Sequence, residues 1–126
     1  MKKPKILVIE DEVNVLKAIK NKLELSGYHV IEATNGAEGL AALDKKPDFI
    51  LLDLYLPHMD GLEFLEQIKK RPAYKDIPIA IVTVSRGKAE IAETIAGSNV
   101  VAFFIKSDVR LNEIVEKIKE ILSQKT

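Results

Sequence analysis

The 126 residues fit a single domain, and at 47% hydrophobic and 30% charged they describe an ordinary globule, not a disordered chain. Lys and Arg total 19 and Asp and Glu total 19, so there is none of the basic surplus that a dedicated nucleic-acid binder needs to neutralise phosphates. With no cysteine, disulfides, zinc–thiolate sites and thiol nucleophiles are excluded, and a reducing cytoplasm is the expected compartment.

Met1-Lys2-Lys3 is basic, but the apolar run behind it, Ile6 to Ile9, is too short for a secretory signal and ends in Glu10-Asp11-Glu12. No window is long enough to span a bilayer, so no membrane insertion is expected. Lys5–Ile9 reads as a first strand. Leu16, Ile19 and Leu23 then share one face at helical spacing, and Ser26-Gly27 stops that helix. A second strand follows over Tyr28–Ala33. Asn35 caps a second helix, which ends before Pro47. Phe49–Leu54 is the third strand. Asp60 caps a third helix with Glu63 as its capping-box partner, Leu62, Leu65 and Ile68 form its apolar stripe, and it ends before Pro72. Ile77–Val84 is the fourth strand, a fourth helix runs to Gly97, and Val100–Ile105 is the fifth strand. A last helix carries Leu111, Ile114, Val115, Ile118, Ile121 and Leu122 opposite Glu113, Glu116 and Lys117.

Five strands thus alternate with five helices, without repeats or linkers. The strand runs lack clean polar alternation, as strands buried on both faces do. Strict alternation implies right-handed crossovers and an α/β, doubly wound, open parallel sheet; a closed eight-fold barrel needs about 250 residues. In such sheets ligands sit at the carboxyl ends of the strands.

Those ends carry Glu10-Asp11-Glu12, Asp53, Thr83 with Ser85 nearby, and Lys106. Each has an ordinary explanation. The acidic triplet suits a helix start, Thr83 suits a strand, and Lys106 suits a solvated strand end. Asp53 resists one, because an Asp at the end of an apolar strand faces desolvation. Together, clustered carboxylates suit a hard cation such as Mg²⁺, while a lysine and a hydroxyl suit a phosphoryl group. With no His or Cys placed as nucleophile, the Asp53 carboxylate is the candidate for forming an acyl phosphate.

The stretches Lys5-Ile-Leu-Val-Ile-Glu10-Asp11-Glu12, Asp48-Phe-Ile-Leu-Leu-Asp53-Leu-Tyr-Leu-Pro57-His-Met-Asp60-Gly61, Ile81-Val-Thr83 and Phe103-Phe-Ile-Lys106 resemble the receiver domain of two-component response regulators, over essentially the whole chain. The resemblance implies a flavodoxin-like five-stranded sheet in the order 2-1-3-4-5, an order for which chemotaxis receivers are a standing example. It implies a phosphorylation-dependent signalling switch and no turnover enzyme. Asp53 would accept a phosphoryl group from a histidine kinase or histidine phosphotransfer protein. Glu10, Asp11, Asp53 and the backbone carbonyl of Tyr55 would hold Mg²⁺. Thr83 would be the switch hydroxyl, Lys106 the phosphoryl partner and Phe103 the aromatic switch. Tyr55 and Ser85 would tune the phosphoryl lifetime. The face formed by the fourth helix, fifth strand and fifth helix would change shape for a downstream protein target, with no direct contact to nucleic acid. Residues 1–126 would form a single receiver domain without an output domain, standing alone or excised from a longer protein.

The chain departs from the family pattern at Ser107, where a proline usually follows the lysine, often across a cis bond, and at Val84, where a small residue is usual. A cis bond without proline costs about 2.5–4 kcal/mol, so the sequence leaves two readings, a trans peptide with an altered loop or a strained cis one. These departures give weight to a pseudo-receiver that takes no phosphate. A haloacid-dehalogenase-like phosphohydrolase would need a second acid where Tyr55 stands, and a flavin-mononucleotide binder would need a phosphate loop where the acidic triplet stands.

Overall fold

The computed structural model describes residues 2–56, 59, 61–83, 95–107 and 109–124. In chain order the elements are β1 (Lys5–Ile9), α1 (Val13–Leu25), β2 (His29–Ala33), α2 (Gly36–Ala42) with a 3-10 turn at Leu43–Lys45, β3 (Phe49–Asp53), α3 (Gly61–Lys69), β4 (Ile79–Thr83), β5 (Val100–Ile105) and α4 (Leu111–Ser123). α4 is the fifth helix of the sequence reading. All but the end of the fourth expected helix lies outside the described residues, as do the Asp60 cap, Pro57, Val84 and Ser85; of that helix, Ile95 is helical and Gly97, its expected stop, takes φ 84°.

The five strands form one parallel sheet in the order β2-β1-β3-β4-β5. Alternate residues of each strand face opposite sides. Ile6 and Val8 of β1, Phe49 and Leu51 of β3, Ala80 and Val82 of β4 pack with Leu16, Ile19 and Leu23 of α1 and with Ile114, Val115 and Ile118 of α4. Leu7, Ile9, Ile50, Leu52, Ile79 and Ile81 meet α3 through Phe64, Leu65 and Ile68 on the other side. Two apolar layers therefore enclose the three central strands, which explains their unbroken hydrophobic runs. β5 does not follow that expectation. As an edge strand it leaves Val101 and Phe103 exposed while Ala102 and Phe104 pack against the core.

The element ends have local causes. Asn35 Oδ1 accepts the Glu38 N–H at 2.8 Å, and Glu38 reaches back to the N–H and hydroxyl of Thr34, at 2.7 and 2.8 Å. α1 closes where Ser26 N–H bonds the carbonyls of Lys22 and Leu23, and Gly27 takes φ 97°. β4 begins two residues later than its apolar run because Pro78 has no N–H for the ladder; its carbonyl still accepts from Ile50 N–H at 3.0 Å. α3 starts tightly against β3: the Gly61 N–H donates to the Leu54 carbonyl at 2.8 Å, and a Cβ at Gly61 would lie 2.5 Å from Leu54 Cα.

Candidate phosphoryl and cation site

Strand parity brings the charged residues to one place. Glu10 extends β1, with its N–H donating to the Ala33 carbonyl at 3.0 Å. It has the parity of Ile6 and Val8. Asp53 has the parity of Phe49 and Leu51, and Lys106 that of Ala102 and Phe104, so all three continue rows that face α1 and α4. The strands are parallel and their ends coincide, so three side chains far apart in sequence meet.

Lys106 Nζ lies 2.9 Å from Asp53 Oδ2, 2.9 Å from Glu10 Oε1 and 3.4 Å from Glu12 Oε1. Asp53 Oδ1 accepts the Tyr55 N–H at 3.0 Å, and Glu10 Oε2 accepts the Glu12 N–H at 3.1 Å. Glu10 is 2% and Asp53 5% exposed, whereas Asp11 faces solvent. Burial pushes the Glu10 carboxyl up to about 7, helped by the negative charge of Asp53 and opposed by the Glu12 N–H and Lys106. Burial also disfavours the Lys106 ammonium, but its hydrogen bonds to Asp53 and Glu10 outweigh that and raise its pKa above the ordinary range.

One ligand oxygen from each of Glu10, Asp11 and Asp53 can be chosen so that all lie within 4.8 Å of one another. Two buried carboxylates and one open to solvent, facing a single ammonium, leave local negative charge for a further cation. An all-oxygen set with one solvent-facing member suits Mg²⁺, which keeps part of its water shell. The residues present therefore fit the ion.

The remaining expected residues are placed less uniformly. Thr83 ends β4, adjacent to β5, and its carbonyl accepts the Lys106 N–H at 2.8 Å. Its side chain has the opposite parity to Asp53. It is fully buried, and among the described residues its hydroxyl has no hydrogen-bond partner. Phe103 is turned outward, 41% exposed. The Lys106–Ser107 peptide is trans, since no cis bond occurs among the described residues, and Lys106 still reaches Asp53. The sequence reading did not anticipate Glu12 as a partner of Lys106. As the last residue before α1 it suggested a helix-start acid, yet it makes no side-chain cap there.

A family model described as the response regulator receiver domain matches residues 6–119. The chain belongs to the receiver domain family. It is 33% identical over 122 residues to the chemotaxis protein CheY homolog of Campylobacter jejuni, covering 94% of this receiver and 92% of that protein. It is 30% identical over 125 residues to the transcriptional regulatory protein PrrA of Mycobacterium tuberculosis, covering 97% of this receiver but only 51% of PrrA, so it spans about half the length of that relative. The crystal structure of a CheY-like receiver domain protein from Methanospirillum hungatei superposes with a TM-score of 0.85 at 31% identity, over 98% of this receiver and 96% of that chain. The receiver is thus a module of two-component signalling. Among the described residues no helix is long and apolar enough to cross a membrane.

Proposed function

We propose that this receiver is a cytoplasmic switch that takes a phosphoryl group onto Asp53 from the phosphohistidine of a kinase or phosphotransfer protein. The observation that carries the reading is the contact of Lys106 with the buried carboxylates of Asp53 and Glu10, beside the solvent-facing Asp11. An Asp53 oxygen forms the new O–P bond as the P–N bond breaks, and the electron pair leaves on the imidazole nitrogen. Glu10, Asp11, Asp53 and the Tyr55 carbonyl would hold Mg²⁺, which would supply positive charge for the transferring phosphoryl oxygens. Lys106, already hydrogen-bonded to Asp53, pairs with a phosphoryl oxygen without having to be recruited from solvent.

The added charge, roughly −1.5 to −2, gives the unpartnered Thr83 hydroxyl an acceptor. Phe103 then turns inward from its exposed position, and the face carrying β5 and α4 changes for a downstream protein. Tyr55 and Ser85 set how readily water reaches the acyl phosphate. A cleft of about 250 Å³ beside Lys106, lined by Val15, Ile19, Val109 and Leu111 among others, suits an apolar helix of the phosphodonor. Residues 1–126 act as a single domain in this reading.

Incubation with a small radiolabelled acyl phosphate tests it. Acid-stable, base-labile label accumulates with Mg²⁺ and stops when the cation is chelated. Label that accumulates equally without divalent cation contradicts the reading.

A further inference from the structure

The phosphoryl site occupies one end of the sheet; the other end has a different charge. There a cleft of about 370 Å³ is lined by Lys2, Lys3, Pro4 and Lys5 at the start of β1, Lys46 and Asp48 ahead of β3, and Leu122 near the end of α4. Among the described residues, four ammonium-bearing side chains line it against one carboxylate. That carboxylate is already engaged, because Asp48 Oδ2 accepts the Lys5 N–H at 2.8 Å. The Lys5 ammonium donates to the Lys45 carbonyl at 3.0 Å, adding no negative charge. Among the described residues no salt bridge reaches Lys2, Lys3, Lys5, Lys45 or Lys46, although those elsewhere on the surface include Lys20 with Glu32 and Lys69 with Glu66.

A second feature points to the same place. Lys46 is the only non-glycine among the described residues with positive φ, at φ 56° and ψ 62°. Such a backbone disfavours a side chain with a Cβ, and the following Pro47 disfavours helical conformations further. Gly or Asn would relieve the first penalty. A lysine there sets an extra positive charge at the cleft wall in spite of a less favoured backbone.

Unpaired ammonium groups around one concavity repel each other and are drawn to a ligand carrying several negative charges. Lysine meets phosphate as a point charge and needs no planar partner. The volume falls in the range of small-ligand clefts. We propose that this cleft, at the opposite end of the sheet from Asp53, binds a small anion bearing two or more phosphoryl groups.

Calorimetric and NMR titration of the full chain with inorganic tripolyphosphate, in buffer free of divalent cations, tests the proposal. Binding should saturate at one anion per chain, weaken as salt is raised, and shift the amides of Lys3, Lys46 and Asp48. The double variant Lys3→Gln/Lys46→Gln should bind roughly tenfold or more weakly, the loss expected for charge-assisted contacts. Lys117→Gln, on α4, should bind like the native chain. Lys46→Gly separates binding from folding: it suits the left-handed backbone, so it should keep its melting temperature while weakening binding. A titration that does not saturate, shifts confined to the neighbourhood of Lys106, or undiminished binding by the double variant would overturn the proposal.

Discussion

Glu10 is the residue whose chemistry is most altered by the fold. Its carboxyl titrates near 7 in the native state and near 4.5 in the unfolded chain. Between those values the native state holds a proton that the unfolded state has released. Without divalent cations, stability therefore falls as pH rises from about 4.5 to 7. Glu10→Gln should flatten that segment of a melting-temperature profile; a slope unchanged in the variant would assign it elsewhere. Thr83 carries the opposite lesson. A buried hydroxyl without a partner costs free energy in the resting fold, so Thr83→Val should raise stability by about 1 kcal/mol in chemical denaturation. A comparable loss would mean the hydroxyl is satisfied in solution. Asp53 was legible from the sequence because an acid ending an apolar strand is hard to explain structurally. Glu12 was not, because nothing in its spacing separates a helix-start acid from one that reaches across to β5.

At the scale of elements, the carboxyl end of β3 is held in place by the start of α3. Gly61 opens that helix where a Cβ would lie 2.5 Å from Leu54 Cα and 2.7 Å from the Asp53 carbonyl oxygen. Gly61→Ala should cost about 1–3 kcal/mol by overpacking and displace Asp53 from its partners, read as a lower denaturation midpoint together with slower phosphorylation. A variant of native stability and rate would show that the junction relaxes freely. The alternation of apolar runs with helical stripes made the strands and most helices legible in chain order. It also carried the site, since the even spacing within β1, β3 and β5 aligns Glu10, Asp53 and Lys106 on one face. The exposed side of β5 was not legible, because the run Val100–Ile105 is as apolar as a central strand and only its position at the sheet edge exposes Val101 and Phe103.

For the whole molecule, zero formal net charge conceals two separated regions. Carboxylates gather around Lys106 at the carboxyl ends of the strands, and lysines gather around Asp48 at the amino ends. Composition could not reveal this, because it sums charges that the parallel sheet sorts to opposite ends. In the proposed function the acidic region would draw a cation to the Asp53 carboxylate, and Lys106 is already within hydrogen-bonding distance of it. The most direct measurement is the intact mass of the native chain and of Asp53→Asn after incubation with a small acyl phosphate and Mg²⁺. The account predicts one added phosphoryl group on the native chain and none on the variant. Stoichiometric addition to Asp53→Asn would contradict it.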